Sequence, residues 1–273
     1  MKEISSRDNQ IFRHALSLKR KKYRDQYGEY LIEGPNLIKE ALKEGVEIRT
    51  LMVSVFKEDG GNDSEILEEE CLKDRTLVLS GNLFKELSET ETPQGMLAVV
   101  SKRLKDRPDD VMTPGGSIIV LDRLQDPGNI GTILRTADAA GFDMAIFIKG
   151  TGDPYSPKIV RSAAGSLFRM PIVSVSDYDE LEDLLRRNGK KIIATAMDGD
   201  AAYFETDITT DCAIVIGNEG NGVDSDLIRR ADMTISIPMA GNTESLNASV
   251  AAGILMYERI RRQNERSITA NPR

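Results

Sequence analysis

Three stretches of this chain combine glycine or proline with uncharged hydrogen-bonding side chains, the residue types that form small-molecule sites in loops. In the first stretch, Pro127 and Gly128 turn the chain after the strand-like run SIIVLDRL. Asn129 is then a candidate helix cap, and Arg135 follows within two turns of the predicted helix. A cap and a surface charge explain both residues without a ligand. The same pair also suits an anionic substrate, because helix N-termini and guanidinium groups bind anions.

The second stretch, residues 217–222, follows the apolar run CAIVI and contains three glycines, Glu219 and two asparagines. Glycines let the backbone approach a ligand closely, although a tight turn would need them equally. Their order, G-x-x-G-x-G, differs from the dinucleotide fingerprint G-x-G-x-x-G and from the phosphate-binding pattern G-x-x-x-x-G-K-[ST]. The missing fingerprint argues against a nucleotide-dependent oxidoreductase, the other enzyme class that we considered for an α/β chain.

The third stretch begins where an apolar run ends at Pro238, continues as a polar loop and enters a predicted helix with an apolar stripe. The stripe consists of Leu246, Val250, Ile254 and Tyr257. Ser245 and Asn247 are candidate caps of this helix. Each of the three loops alone has an ordinary structural explanation, but three of them in one region indicate a binding site.

Few residues in this chain suit imidazole, thiolate or metal chemistry. His14 is the single histidine, and Cys71 and Cys212 lie far apart without a C-x-x-C pair. We therefore expect no Ser-His-Asp triad, no disulfide framework and no metal. No apolar run approaches the roughly 18 residues of a membrane span, and the N-terminus does not resemble a signal peptide. We expect a cytoplasmic protein without a membrane partner.

Charge is distributed unevenly along the chain, whose net charge is −8. Residues 1–28 contain eight lysines and arginines against three acidic residues. An acidic body argues against non-specific coating of nucleic acid, whereas a local basic arm suits contact with phosphates at one place. A solvated basic helix face explains the same composition equally well.

Two α/β units are predicted to position the three loops. Residues 30–101 alternate strand and helix patterns, and Gly45 is expected to end the first of those helices. A charged stretch with Pro108 and Pro114 indicates a linker, with the boundary near residues 104–116. Ile- and Val-rich runs then alternate with helical patterns, which predicts a mostly parallel sheet between helices. Ligands of such sheets bind at the carboxyl ends of the strands, where the three loops lie.

The three loops resemble, in order and spacing, the signature motifs of the SpoU-type (TrmH-like) RNA ribose 2′-O-methyltransferases. The matching segments are N-x-G-x-x-x-R from Asn129, I-G-N-E-G-x-G-V from Ile216 and I-P-M-x-G-x-x-E-S-L-N-x-S-x-A from Ile237. The earlier segments Y-R-D-x-Y-G-E-Y-L-I-E-G and P-Q-G-M-L-A-V-V are similar to the substrate-binding domain that many members carry. The resemblance thus covers nearly the whole chain.

The resemblance implies an α/β fold with two domains. Residues 1–105 would form a small α/β RNA substrate-binding domain, similar to ribosomal proteins, with the basic arm at its N-terminus. Residues 116–265 would form a methyltransferase domain with a parallel sheet and a trefoil knot, acting as a homodimer. The knot is an expectation from the family alone, because knots are very rare in proteins.

The resemblance also implies S-adenosylmethionine as the cofactor. The family's cofactor contacts fall on Thr195, Ala196, Met197, Gly217, Ile237, Met239 and Leu246 of this chain. Its catalytic residues fall on Arg135, Asn129, Glu219, Ser245 and Asn247. In the basic arm we expect Lys22 and Arg24 to contact RNA phosphates, which position the RNA without reading its sequence. Ile237, Met239 and Leu246 can line an apolar adenine slot, and Gly217 leaves room for close approach.

Methyl transfer to a ribose hydroxyl requires in-line attack on the sulfonium methyl and removal of a proton. A guanidinium is a poor base because its pKa lies above about 12. We therefore expect Arg135 mainly to hold an RNA phosphate and stabilise the developing alkoxide. Glu219 has a structural alternative, in which it holds Asn129 or the loop backbone by hydrogen bonds.

Ribosomal RNA of the 23S type is the expected substrate, because the added N-terminal domain resembles those of ribosomal RNA enzymes. Transfer RNA is the alternative substrate. A non-catalytic RNA-binding protein on the same fold is the alternative function, although the intact polar residues of the three loops count against it.

Overall fold

The computed structural model describes residues 2–55, 64–102 and 108–270. Contacts divide the chain into two compact units. Unit 1 comprises Met1–Leu104 and Asp153–Phe168, and unit 2 comprises Lys105–Gly152 and Arg169–Arg273. The sequence pattern carries no signal that the short segment Asp153–Phe168 packs with the N-terminal part of the chain.

The N-terminal part contains ten helices and strands among its described residues. These are β1 (Lys2–Ile4), α1 (Gln10–Ser17), α2 (Lys21–Tyr27), β2 (Glu29–Glu33), α3 (Pro35–Lys43), β3 (Ile48–Ser54), α4 (Ser64–Glu68), β4 (Thr76–Leu79), α5 (Gly81–Leu87) and β5 (Met96–Ser101). The described strands form one mixed sheet in the order β1-β4-β3-β5-β2, antiparallel only at β3/β5 and β5/β2. As predicted, Gly45 terminates the first helix of the alternating pattern: α3 ends at Lys43, and Gly45 follows the cap Glu44 with a φ of +67° that favours glycine.

Two features of this sheet differ from the sequence pattern. The sequence SEILEEECLKD at residues 64–74 favours a single helix, whereas the structure divides it into α4 and a 3-10 helix at Glu70–Arg75. The strand β1 was not predicted, because it has only three residues and carries charges at Lys2 and Glu3. It joins the sheet by parallel pairing with β4, and Ile4 inserts into the core.

Residues 108–270 form the remaining elements. These are α6 (Pro108–Val111), β6 (Ser117–Leu121), α7 (Pro127–Ala139), β7 (Met144–Ile148), α8 (Pro157–Ser162), α9 (Ser166–Arg169), β8 (Ile172–Val175), α10 (Tyr178–Arg187), β9 (Lys191–Thr195), β10 (Ala201–Ala202), β11 (Cys212–Ile216), α11 (Ser225–Arg230), β12 (Met233–Ser236) and α12 (Ala248–Ala270). The helix α6 lies within the predicted linker, of which residues 103–107 lie outside the described residues.

Unit 2 is built on a parallel sheet, as predicted. Its described strands follow the order β10-β12-β9-β11-β6-β7-β8, and every neighbouring pair is parallel. Every residue of β6, β7 and β11 is buried. Burial on both faces explains why these strands are apolar at consecutive positions instead of alternating ones.

The long helix α12 packs against α7 with a different face from the one that its sequence suggests. Its buried apolar residues are Ala252, Leu255 and Met256, whereas Val250 is 50% and Tyr257 53% exposed. The helix therefore has two apolar rows. The row with the alanine packs in the core, whereas Val250 and Tyr257 of the predicted stripe face outward and Ile254 is half-buried.

The amino end of the parallel sheet is closed by a buried ammonium group. Lys190 lies just before β9 and is 2% exposed. It donates to the carbonyl oxygens of Thr113 (2.6 Å) and Gly116 (3.0 Å) and to the Asp211 carboxylate (2.9 Å). These bonds tie the segment that enters β6 to the starts of β9 and β11.

None of the described helices is long and apolar enough to cross a membrane.

Candidate active site

The predicted site loops leave the carboxyl edge of four adjacent strands, β12, β9, β11 and β6. The strand ends are joined by more than the sheet pairing. The Thr195 hydroxyl donates to the Val215 carbonyl oxygen at 2.9 Å, and the Ala196 backbone N–H donates to Ile235 at 3.0 Å. The sheet order therefore brings together loops that lie far apart in the sequence.

Helix α7 begins about one turn earlier than predicted, because its N-cap is Asp126 and not Asn129. The Asp126 carboxylate accepts a hydrogen bond from the Asn129 backbone N–H at 2.8 Å. Pro127 then occupies the first helical position, where its missing N–H costs nothing. This arrangement leaves the Asn129 side chain, which is only 8% exposed, available for other contacts.

Glu219 connects the loop after β11 with the start of α7. Its carboxylate accepts hydrogen bonds from the backbone N–H groups of Asp126 (3.0 Å) and Gln125 (3.2 Å) and from the side-chain amide of Asn129 (3.3 Å). Burial alone would raise the pKa of Glu219, but hydrogen bonds, from its own backbone N–H and these donors, outweigh burial and lower it. The geometry therefore matches the structural alternative for Glu219, an ionised acceptor that holds a helix N-terminus.

The Asn129 side chain also forms a hydrogen bond with the third loop. Its side-chain oxygen accepts a hydrogen bond from the side-chain amide of Asn247, 118 residues away, at 2.9 Å. Asn247 is also the cap of α12, since its own side-chain oxygen accepts from the Ser249 backbone N–H (2.9 Å) and hydroxyl (2.6 Å). One chain of hydrogen bonds, Glu219–Asn129–Asn247, thus joins all three motif loops.

Two of the predicted catalytic residues stand apart from this chain of hydrogen bonds. Arg135 and Ser245 are exposed, and neither side chain forms a hydrogen bond or ion pair with the residues that the structure describes. Arg135 lies six residues beyond Asn129 on α7, so it points roughly 120° away around the helix axis. Its guanidinium is therefore available to an external anion.

Gly217 is required by the loop itself. A Cβ built there would lie 2.1 Å from the Gly222 carbonyl carbon and from the Val223 nitrogen, both backbone atoms. Asn218 and Gly222 exchange two backbone hydrogen bonds at 2.9 and 3.0 Å, which close this tight turn. The turn itself thus excludes a side chain at Gly217, and contact of its backbone with the cofactor stays a prediction.

The other predicted cofactor residues are half-buried or exposed in the motif loops and at the end of β9. Thr195 and Ala196 are half-buried at the end of β9, and Ile237 is half-buried just after β12. Met197 is 75%, Met239 38% and Leu246 36% exposed. Exposed apolar side chains beside half-buried loop backbone suit the adenine and methionine portions of S-adenosylmethionine.

Asp122 is a buried carboxylate at the carboxyl edge of the sheet that the sequence analysis does not single out. It directly follows β6 and is fully buried, at 0% exposure. Its carboxylate accepts hydrogen bonds from Arg123 Nε (3.0 Å), the Tyr178 hydroxyl (3.1 Å) and the Asp224 backbone N–H (2.9 Å). A signal was present, since a charged residue that continues a wholly apolar strand at a ligand-binding edge is unusual.

In the basic arm, the structure contradicts the prediction for Arg24. Arg24 is only 4% exposed, and it donates to the Asp153 carboxylate at 2.5 and 3.0 Å and to the Leu18 carbonyl oxygen at 2.7 Å. Its charge is neutralised inside unit 1, so it is not available to bind an RNA phosphate as predicted. Lys22 is exposed, with its ammonium 5.8 Å from the ring centre of Tyr23, and phosphate contact by Lys22 stays a prediction.

Family comparison matches both parts of the chain. The SpoU rRNA Methylase family matches residues 116–257, which carry the three motif loops, and the MRM3-like substrate binding domain matches residues 9–98. The chain belongs to the SpoU rRNA methylase family. The predicted resemblance is therefore confirmed. No group of three or more potential metal ligands occurs among the described residues of this family member.

Two similar SpoU-family relatives extend over almost the whole chain. The 23S rRNA (guanosine(2553)-2′-O)-methyltransferase RlmP of Bacillus subtilis is 36% identical and covers 94% of this chain and 98% of its own. The 23S rRNA (uridine(2479)-2′-O)-methyltransferase of Streptomyces viridochromogenes is 33% identical, with coverages of 96% and 93%.

Solved structures agree in fold along the chain. The SpoU methyltransferase AviRb from Streptomyces viridochromogenes, in complex with AdoMet, has a TM-score of 0.85 at 34% identity and covers 93% of this chain and 98% of its own. An AdoMet-bound rRNA methyltransferase from Sinorhizobium meliloti has a TM-score of 0.83 at 31% identity, with coverages of 96% and 98%. Both neighbours bind the cofactor that the sequence motifs predict.

Proposed function

We propose that this protein transfers a methyl group from S-adenosylmethionine to a ribose 2′-hydroxyl of 23S-type ribosomal RNA. One observation carries the proposal: the hydrogen-bond chain Glu219–Asn129–Asn247 joins the three motif loops at the carboxyl edge of a parallel sheet. Family membership gives this geometry its chemistry, and two relatives of nearly full length are named as 23S rRNA ribose methyltransferases.

The cofactor supplies an electrophilic methyl group, and the protein's own residues hold and orient the reactants. Ile237, Met239 and Leu246 would hold the adenine, with the backbone at Thr195–Met197 supplying hydrogen bonds. Gly217 shapes the turn that presents Asn218 and Glu219. Exclusion of water and fixed orientation are the main contributions that such a site makes to an in-line transfer.

Arg135 is the residue that we propose for contact with the RNA. Its exposed guanidinium has no partner among the described residues, so it can bind a phosphate with two hydrogen bonds. A cation held beside the attacking oxygen would also stabilise the charge that develops there. Glu219 and Asn129, by contrast, are occupied by each other, which favours a supporting role for both.

The decisive experiment measures transfer of labelled methyl from S-adenosylmethionine to 23S rRNA and to transfer RNA, with the modified ribose mapped. We expect incorporation into 23S rRNA, and Arg135→Ala should reduce it on the order of a hundredfold, the usual loss for a charge-stabilising donor. Arg135→Lys keeps the charge but loses the bidentate fork, so it should restore little activity. Arg229→Ala, an exposed arginine of α11, is the matched control and should remain active.

Each other outcome of this experiment identifies a different alternative. Transfer to transfer RNA alone would support the alternative substrate. Cofactor binding by calorimetry without transfer to either RNA or to a ribosomal subunit would favour the non-catalytic RNA-binding function. Absence of cofactor binding would contradict the enzyme proposal.

We also propose a homodimer, supported by the outward stripe of α12. Val250 and Tyr257 are 50% and 53% exposed on one side of this helix. Exposed apolar stripes of this kind mark protein interfaces. Sedimentation velocity at micromolar concentration should give the mass of two chains, and a monomer would contradict this part of the proposal.

The remaining features of the proposal concern domains and location. Residues 1–105 would bind the RNA substrate, with Lys22 contacting phosphate, and residues 116–265 would carry out the transfer. The trefoil knot of the C-terminal domain stays part of this proposal, as does a cytoplasmic location, where ribosomal RNA would be met during ribosome assembly.

A further inference from the structure

The carboxylate of Asp122 lies behind the motif loops and contacts none of the predicted catalytic residues directly. It is fully buried, and its two oxygens accept four hydrogen bonds. Tyr178 Oη (3.1 Å) and Arg123 Nε (3.0 Å) donate to one oxygen, while the Asp224 backbone N–H (2.9 Å) and Arg123 Nη2 (3.2 Å) donate to the other. Burial of an ionised group is costly unless it is paired and bonded in this way.

The donors around Asp122 come from three separate segments of unit 2. Tyr178 is the first residue of α10, and its ring packs against the core under the sheet. Burial and the neighbouring Asp122 carboxylate raise the pKa of the Tyr178 hydroxyl, which therefore stays a donor. Asp224 is the cap of α11 and ends the loop that contains Glu219. The Asp122 carboxylate thus fixes α10 and the end of the second motif loop to the end of β6.

Arg123 carries the connection from Asp122 into the first motif loop. Its backbone adopts a φ of +60°, a conformation that residues other than glycine rarely adopt. Its guanidinium bonds Asp122 and pairs with the Asp224 carboxylate at 3.0 Å. Its carbonyl oxygen, turned by this conformation, accepts hydrogen bonds from the side-chain amides of Asn218 (2.9 Å) and Gln125 (3.2 Å).

Strained backbone that persists at a ligand-binding edge must be held by its surroundings. Arg123 is held by several contacts, among them the Asp122 and Asp224 carboxylates on its side chain and the Thr151 hydroxyl, which accepts from its backbone N–H at 2.9 Å. Asn218 lies beside Glu219, and Gln125 lies beside Asp126, the cap of α7. The position of Asp122 therefore determines the positions of the two loops that Glu219 joins, the first and the second motif loop.

We propose that Asp122 is a positioning residue for methyl transfer, which aligns the first and second motif loops through Arg123 and the Asp224 backbone. This inference rests on the proposed function for its catalytic readout. Its structural content, the ordering of the two loops by one buried carboxylate, is tested separately by hydrogen exchange.

Asp122→Asn is the principal variant, because it removes the charge and replaces one acceptor with a donor while keeping the shape. We expect kcat to fall on the order of tenfold to a hundredfold, since a displacement of about 1 Å at a reacting centre costs that much. KM for S-adenosylmethionine should change much less. Tyr178→Phe removes a single donor and keeps the ring packing, so it should give a smaller loss of the same kind.

Asp211→Asn is the matched control at the other end of the same sheet. Asp211 accepts from the buried Lys190 ammonium at 2.9 Å and lies just before β11, far along the strand from the motif loops. The variant is expected to lower the melting temperature and leave kcat unchanged. All rates are measured well below the melting temperature of each variant, so that loss of folded protein does not enter.

Two readouts distinguish positioning from general stabilisation. In Asp122→Asn, amide hydrogen exchange should accelerate in residues 122–129 and 217–224 and stay unchanged near residues 113–117, and Asp211→Asn should show the reverse. A double-mutant cycle with Glu219→Gln should give a combined loss in kcat smaller than the product of the single losses, because both residues act on the same two loops.

Unaltered exchange in both loops, or a wild-type kcat in Asp122→Asn, would overturn the proposal, and so would strictly multiplicative losses in the cycle. If Asp122→Asn does not fold, Tyr178→Phe is put through the same three measurements with the same criteria. If the wild-type protein transfers methyl to no RNA, the proposed function fails, whereas the exchange pattern still decides whether Asp122 orders the loops.

Discussion

The two ends of the parallel sheet in unit 2 are organised in contrasting ways, although each contains a buried charged group. At the amino end, the Lys190 ammonium is bonded to two carbonyl oxygens and Asp211, and Asp211 also accepts from the Gly115 backbone N–H at 2.8 Å. At the carboxyl end, Asp122 supports loops that leave Arg135 unpaired among the described residues and Met197 75% exposed.

The difference separates stability from function within one sheet. At the amino end, the donors and acceptors are paired with one another and connect segments that enter the strands. We therefore expect them to contribute to the stability of the fold. The hydrogen bonds at the carboxyl end also satisfy Asp122 and Glu219, but the loops that they hold expose groups such as Arg135 and Met197 at the surface. Groups held in position without a partner are what a binding site requires.

Glycine substitutions should give the largest difference between the two ends of the sheet in unfolding free energy and cofactor binding. Gly217→Ala at the carboxyl end would place a Cβ 2.1 Å from backbone atoms, which cannot move without opening the turn. We expect a loss of about 3 kcal/mol or more in unfolding free energy, together with loss of cofactor binding. Both are measured directly, by urea unfolding and by calorimetry with S-adenosylmethionine.

Gly116→Ala is the amino-end counterpart. Its new Cβ would meet the side-chain ends of Asp143 and Thr113, which can rotate away, so we expect a cost of about 1 kcal/mol and normal cofactor affinity. Equal effects of the two substitutions on cofactor binding would remove the proposed distinction between the ends.

A smaller effect is expected from Glu219→Gln, which tests whether the carboxyl end uses Glu219 as a base. The pKa of Glu219 lies below its ordinary value of 4.5, so its carboxylate is ionised throughout the working range. We expect kcat to fall roughly tenfold, through loss of charge-assisted hydrogen bonds of about 1 to 2 kcal/mol, by the same factor at every pH from 6 to 9. A pH–rate profile of both proteins checks this.

The sign of the stability effect follows from the same pKa. A carboxylate whose pKa is lowered by folding stabilises the protein above its unfolded pKa, and this contribution is lost as the pH falls through the folded value. The stability difference between wild type and Glu219→Gln should therefore be constant near neutrality and shrink only below about pH 4.5. An inflection near pH 7 that disappears in the variant would instead identify Glu219 as a titrating base.

Local patterns in the sequence determined the architecture and the composition of the site. Runs of apolar residues such as CAIVI gave the buried parallel strands, because burial on both faces leaves no polar position. Glycine at position 45 ended its helix as predicted, since the left-handed conformation there favours glycine. The three motif loops, and with them the family, were also readable, because each loop's residues are contiguous.

Tertiary structure alone decided which partner each polar side chain found. Arg24 became a buried ion pair because Asp153, 129 residues later, packs against it. Asn129 became a bridge because Asp126 took the cap, and Glu219 reached it from 90 residues away because β11 lies beside β6. The outward face of α12 and the role of Asp122 have the same origin. Periodicity and propensity act over a few residues, whereas burial and pairing depend on which strands and helices become neighbours in space.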